Sequence, residues 1–356
     1  MKGIQPNVEE SVLSKKDEEH SLWKSTLFLC VFIACACIFV IPMGLSNALN
    51  TIMNTAYKLL IDTTLYIVAI AVVAGALSAL LTEFGVVQLL NRALSPLMQP
   101  VFGMPGAAAL GIVTTFLSDN PAILSLAQNK NYCKCFKAYQ IPALTNLGTA
   151  FGMGMIVTTY MLGIGATSGV SLGKAVLCGN LGAIAGGILS TRLMLHTTKK
   201  QLGTDALPWD IGNGSEEEKE TKDGLGVRVI DALLRGGRSG MELGISIIPG
   251  VLILCTFVIM LTNGPSATGA YTGAAYEGVG ILPQLAEKLQ FILDPLFGFS
   301  SSVCTAVPVT AMGSAGATLG IAGQLFALGT ANANDIAVFT AMCICWGGYL
   351  STHVSM

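Results

Sequence analysis

The sequence predicts an all-α polytopic membrane protein, built from two inverted-topology repeats with re-entrant, broken helices. Three observations predict it. Hydrophobic residues make up 52% of the 356-residue chain and charged residues 11%, with mean hydropathy +0.66; soluble domains carry about 25% charged residues. Several apolar runs reach the roughly 20 residues that cross a bilayer as a helix, and the alternating strands of a membrane barrel are not seen. Finally, two interrupted apolar segments fall at matching places in the two halves.

The elements follow in order. Residues 1–22 are polar and include Glu9, Glu10, Asp17, Glu18 and Glu19, unlike the short basic start of a cleaved signal. Residues 23–46 are therefore read as a retained peripheral transmembrane helix. Residues 47–62 are half polar, like an interfacial helix, and 64–81 span. Residues 85–102 are amphipathic, with Gln88, Asn91, Arg92 and Gln99 on the polar side. Residues 107–118 are apolar but too short to span; SDNP at 118–121 interrupts and 122–127 resumes. After a polar loop at 128–137, residues 139–164 and 172–195 span, completing a first unit at 47–195. Residues 196–225 form a charged linker containing GSEEEKETKDG. The second unit, 226–356, reads amphipathic at 227–242, spanning at 244–262, and a Gly/Ala/Thr loop at 263–280. It is amphipathic again at 281–297 and apolar at 303–312. GSAG at 313–316 interrupts, 317–328 resumes, and 336–356 runs to the end. Nothing answers the span at 172–195, so this unit is expected to lack its last helix, through truncation or because a partner supplies it.

The two units align. At an offset of 195 residues, Pro100, Phe102 and Gly103 fall on Pro295, Phe297 and Gly298. Thr115, Ala122, Leu124 and Ala127 fall on Thr310, Ala317, Leu319 and Ala322, and the two interruptions coincide. Upstream the offset is 180, placing Lys58 on Arg238 and Asp62 on Glu242; the loop at 263–277 is the insertion. Basic residues sit in short cytoplasmic loops. Lys130, Lys134 and Lys137 follow the first interruption, whereas 323–335 has no Lys or Arg. Lys58 alone precedes the first unit's span, but Arg228, Arg235 and Arg238 precede the second's. A cytoplasmic N-terminus in a bacterial-type inner membrane satisfies this pattern if the second unit enters from the opposite side. Inverted repeats with discontinuous helices mark secondary transporters.

A break in a membrane helix frees backbone groups that lipid cannot satisfy, so it must face protein or a water-filled cavity. In FLSDNPAIL, Asp119 or Asn120 suits an N-cap and Pro121 the first helical position. The restarted helix then aims its positive end at the break, which favours an anionic or polar group. An ionisable Asp119 at that depth points to an ion or proton site. Two readings stay open for Ser118, Asp119 and Asn120: capping alone, or capping with substrate or ion contact. In the partner break, Ser314 offers a hydroxyl and the glycines bare backbone, with small-residue helix packing the alternative. Thr310 precedes that break. Thr145, Asn146 and Thr149 put polar groups in a spanning helix opposite the first break, and Asn146 is costly to bury unpaired. Their counterpart is read as WGGYLSTHVSM, with Ser351, Thr352 and His353; His353 is either a proton carrier or a hydrogen-bonded bundle histidine.

Other chemistries lack support. The net charge of −2 gives no nucleic-acid signature. Ten cysteines form no CxxC and suit buried packing. There is no Walker A motif, zinc-ligand spacing or nucleophile elbow. The expectation is a non-enzyme without a cofactor, whose partners are the bilayer and a small polar solute; a homo-oligomer is left open.

Two units that each read amphipathic helix, (Q/D)P-x-FG, short apolar helix, small or polar break, then span resemble the nucleoside-recognition or Gate domain. FLSDNPAILSLA and YQIPALTNLGTAFGMGMIVTTYMLG are similar to the YjiH-like group of that family, over roughly residue 47 to the end. The resemblance implies a fold like the transport core of concentrative nucleoside transporters, with kinship to the membrane part of ferrous-iron transporters and to spore-maturation membrane proteins. It implies that the two break tips contact substrate, faced by Thr145, Asn146 and the region of Ser351–His353. The chain lacks the Gln/Asn plus Glu set of the nucleoside transporters and the GTPase of the iron transporters. The expected function is an H⁺- or Na⁺-coupled secondary transporter of a small polar solute, a nucleoside or an organic anion, with its site at the midplane between the breaks. The alternatives are a non-transporting membrane or sporulation scaffold, and a divalent metal permease using Met104, Met153, Met155, Cys304 and Met312.

Overall fold

The computed structural model describes residues 8–118, 121–128, 130–204, 224–266 and 268–347. All regular structure among them is helical, with no β-strand. Helix α1 (Val8–Met43) has an apolar stretch at Trp23–Met43 that stays largely uncovered by the rest of the chain, as expected of a peripheral helix in lipid. It is held near its end, where the Phe39 ring meets Phe257 at 5.5 Å. Gly44, at φ 77°, turns the chain into the next helix.

That helix corrects the expectation of an interfacial segment followed by a separate span. α2 runs continuously over Leu45–Glu83, 39 residues, because neither Gly nor Pro occurs between residues 45 and 74 to stop it. One stripe of its polar first half, with Ala48, Thr51 and Thr55 buried, packs against protein. Asn47 and Asn54 donate to the carbonyls of Tyr271 and Gly273 in the inserted loop. The second unit opens in the same way: α3 (Leu225–Thr262, 38 residues) merges the expected amphipathic and spanning segments. Each long helix contains one π-helical turn, Leu59–Thr64 in α2 and Val251–Cys255 in α3. α2 and α3 form the most extensive helix pair in the molecule, and they run antiparallel. Gly75 lies against Gly236 and Gly240, Gly240 against Ala71, and Gly244 against Val68. A Cβ at Gly236 or Gly240 would overlap the carbonyl oxygen of Gly75 or Ala71. At the ends, Glu83 accepts from Arg228 (2.7 Å) and Arg235 (3.3 Å).

Between these helices the first unit continues with α4 (Val86–Leu97), α5 (Ala108–Leu117), α6 (Pro121–Gln128), α7 (Ile141–Phe151), α8 (Gly154–Thr167) and α9 (Gly173–Leu202). Residues 139–164 were expected to span unbroken. The helix instead breaks at Gly152 and Met153, with Met153 at φ 57°, and Gly154 receives the Phe116 ring where a Cβ would collide. α9 extends through His196 to Leu202, beyond the expected start of the linker. After α3 the second unit holds α10 (Ile281–Lys288), α11 (Gln290–Phe297), α12 (Ala306–Gly313), α13 (Ala315–Ala327) and α14 (Ala333–Cys345). The expected single helix at 281–297 is thus two. α9 joins the units. It runs against α7, where Asn146 donates to the Ser190 carbonyl at 3.1 Å, and along α14, where Gly179 meets Thr340 and Gly186 meets Cys345. α7 and α14 therefore point in opposite directions, as α2 and α3 do.

Local details recur at the sequence offsets. α2 and α3 begin 180 residues apart, at Leu45 and Leu225. At 195, Gly103 and Gly298 both take positive φ, and Thr115 and Thr310 both donate to the carbonyl four residues back. The Lys137 N–H donates to the Gln140 side chain (2.9 Å) as the Asn332 N–H does to Asp335 (2.7 Å), though only Asn332 returns a side-chain cap.

Four helices among the described residues are long and apolar enough to cross a membrane: Trp23–Met43, α2, α9 and α3. The pair Phe291–Phe297 and Ser302–Gly313, bent by 78°, would make a fifth. α5, α8, α13 and α14 are apolar but shorter. The seam predicts that Gly240→Ala forces α2 and α3 apart and lowers stability by about 1–3 kcal/mol, the usual scale of overpacking. Gly226→Ala has open space at its Cβ and is expected to be near neutral; thermal unfolding in detergent distinguishes the two.

Candidate functional site

Both interruptions of the apolar pattern seat on α3. The first is reached at Ser118, which leaves the helical conformation (φ −124°, ψ −106°) directly after α5. Its hydroxyl donates to the Thr114 carbonyl at 2.6 Å, so one carbonyl freed at the helix end is satisfied. Ser118 lines a hollow of about 130 Å³ with Ser78 and Gly75 of α2, Ser239 and Gly240 of α3, and Ile156 of α8. Three serines thus border a space cut into the glycine seam. It exists because residues 75, 236 and 240 have no side chains to fill it.

The second break is at Ser314, in extended conformation (φ −159°, ψ 127°). Its hydroxyl accepts from the Ala317 N–H at 3.2 Å and caps α13. At the offset of 195, Ser314 falls on Asp119. The glycines expected to leave bare backbone for a ligand are covered here: a Cβ on Gly316 would lie 2.9 Å from Ile247, and one on Gly313 2.9 Å from Leu254. Ser314 itself faces Gly250. The breaks therefore touch α3 near Gly240–Leu243 and near Ile247–Gly250, roughly 10 Å apart at 1.5 Å per residue.

The π turns meet at the same place. They contact each other, and α13 crosses both. Gly320 sits between Thr63 of one turn and Cys255 of the other, while the Cys255 thiol donates to the Ala317 carbonyl at 3.0 Å. Within the turn of α2, the Thr64 hydroxyl donates to Leu59 at 2.9 Å. Such single turns occur often at functional sites. Sequence reasoning missed them, since hydropathy is blind to the change from i+4 to i+5 bonding.

The remaining sequence-derived candidates divide. Thr310 is buried, and its hydroxyl is bonded within its own helix to Ala306 at 2.7 Å. Asn146 donates to the Ser190 carbonyl, bridging α7 to α9. Asp119, Asn120, Ser351, Thr352 and His353 lie outside the described residues, as do the side chains of Thr145 and Thr149. At the offset of 195, Thr145 falls on Thr340. A second polar hollow, of about 360 Å³, is lined by Glu287, Ser300, Ser301, Ser302 and Thr305. The run of three serines was its visible sequence signal. Beside it the buried Asp335 carboxylate accepts from the N–H groups of Ser300 (2.9 Å) and Asn332 (2.7 Å) and from the Ser300 hydroxyl. These bonds make it a cap.

Residues 64–195, from the π turn of α2 through most of α9, match the Gate family, described as nucleoside recognition. Over this segment the chain is similar to a Gate domain. No curated protein and no solved structure matches the chain. The Gate domain and the apolar helices fit an integral membrane, transporter-like protein.

The capping geometry predicts that Ser314→Ala costs about 1 kcal/mol, the usual scale of a lost N-cap, whereas Ser314→Asp, which keeps an acceptor, costs less. Thermal unfolding of the two variants, with amide exchange read at residues 316–318, checks this.

Proposed function

We propose that the chain is a secondary active transporter, driven by H⁺ or Na⁺, that moves a small polar solute such as a nucleoside or organic anion through a site between the two breaks. The observation that carries this reading is the seating of Ser118 and Ser314 on one helix, α3, beside paired π turns and a serine-lined hollow. Backbone irregularity at such depth is tolerated only against protein or water, and here it is concentrated in one place. The opposed directions of α2 and α3, and of α7 and α14, support the reading of inverted units, which is the arrangement that alternating access uses.

A hollow of about 130 Å³ holds roughly four waters at ~30 Å³ each. It is too small for a nucleoside, so on this reading the described conformation is a closed one. Opening separates α2 from α3 at their glycine contacts and releases the Glu83 pairs with Arg228 and Arg235. Asp119 and Asn120 follow Ser118 directly in the chain, and we assign them to the solute or its coupling ion, with Asp119 as the titrating or cation-binding group.

Purified protein in proteoliposomes, given an imposed proton or sodium gradient, tests the reading with labelled nucleosides and small organic acids. Gradient-dependent uptake of one class is expected, falling at least tenfold in Asp119→Asn, with Ser239→Ala raising the half-saturating concentration several-fold. Absence of uptake for every solute under both gradients, or full uptake in Asp119→Asn, contradicts it.

A further inference from the structure

One apolar space belongs to none of the groups above. A groove of about 560 Å³ runs between α4, α5 and α9, walled by Leu94, Met98, Val113, Phe116, Ala183 and Ile184 among others. Its one polar liner, Asn180, is already bonded to Thr158 and to the Val176 carbonyl. A polar solute therefore gains nothing there. Leu90 (39%), Leu97 (50%) and Ile184 (41%) leave its mouth exposed, on helices whose surroundings in a membrane are hydrocarbon.

The groove borders a second space at Phe102. Phe102 belongs to its wall and also to a second hollow, of about 210 Å³, lined by Gly103, Arg192, Leu195, His196 and Lys199. Among the described residues, no carboxylate lines this second space. Arg192 donates to the carbonyls of Pro100 and Val101 in the turn after α4, which fixes the guanidinium. The Lys199 ammonium lies 5.3 Å from the centre of the Tyr139 ring, which restrains it as a cation–π contact does. Asn180, Ile184, Arg192, Leu195 and Lys199 recur at three- and four-residue steps or their multiples, so one face of α9 carries the apolar wall and then, towards its end, the cationic cluster.

We infer that groove and hollow form one site for an anionic phospholipid, with an acyl chain along Val113 and Ile184 and the phosphate against His196, Lys199 and the outer edge of Arg192. The occupant follows from the pairing of the two spaces. Free phosphate has no use for the groove, and a zwitterionic lipid brings a cationic group towards Lys199 and Arg192. Basic pockets between membrane helices bind anionic headgroups on this principle. The site also adjoins the first break: Leu117 lines both the groove and the hollow at Ser118, so a bound tail is one side chain away from the end of α5.

The test uses the full-length protein in detergent, delipidated and then titrated with phosphatidylglycerol, phosphatidylcholine of the same chains, or inorganic phosphate. Retained lipid is counted by native mass spectrometry and stability is read by thermal shift. Phosphatidylglycerol is expected to bind as a single adduct on the order of tenfold more tightly than phosphatidylcholine, and phosphate alone is expected to give no shift. The double variant His196→Ala/Lys199→Ala, at exposed positions, should lose the preference between lipids while still binding both weakly. Ile184→Trp, which fills the groove, should weaken both lipids. Equal binding of the two lipids by the native protein, an unchanged preference in the double variant, or a phosphate shift as large as the lipid's would overturn the assignment.

Discussion

The structure depends on the backbone-to-backbone approach of α2 and α3 at Gly75, Gly236 and Gly240. Lipid supplies no hydrophobic drive between apolar helices, so association rests on close van der Waals contact, which small residues permit. The seam fixes more than one pair. It sets the two long helices antiparallel and brings their π turns together. It also offers one helix, α3, as the seat for both breaks. A side chain at any of the three glycines would separate the helices and remove the hollow bordered by Ser78, Ser118 and Ser239.

Near the breaks, several backbone groups find side-chain partners. The Ser118 hydroxyl donates to the Thr114 carbonyl at the end of α5. Ser314 caps α13, and the Cys255 thiol reaches the Ala317 carbonyl. Hydroxyls and a thiol, rather than charges, do this among the described residues, which suits a low-dielectric setting where an unpaired charge is far costlier than a bonded hydroxyl. Arg192 serves the turn after α4 in the same way from a more exposed position.

The sequence carried the α-helical membrane class, the two interruptions and the 195-residue correspondence, because each rests on residue types whose cost in lipid is large: Asp and Pro in an apolar run, or glycine at a required positive φ. It did not carry the continuity of α2. The polar half with Asn47 and Asn54 reads as interfacial until both are seen to bond the inserted loop. The break at Gly152 and Met153 was equally hidden, since FGMGM is apolar throughout and the decisive fact is the Phe116 ring at Gly154. At the candidate site, Ser118 and Ser314 were legible as interruptions. Ser78 and Ser239 were not, because single serines in helices are ordinary and only the seam brings them together.

The most direct test of the central claim, that the breaks face a water-accessible space on the glycine seam, is cysteine labelling in native membranes. With the ten native cysteines replaced, Ser118→Cys, Ser239→Cys and, as a lipid-facing reference on α2, Val73→Cys (59% exposed) are each treated with a small water-soluble thiol reagent. The account predicts that residues 118 and 239 react, and protect one another from a second label when both are changed, while residue 73 stays unreactive. Labelling at 73 with none at 118 or 239 would contradict it, placing the seam in a dry interior and the break outside any aqueous path.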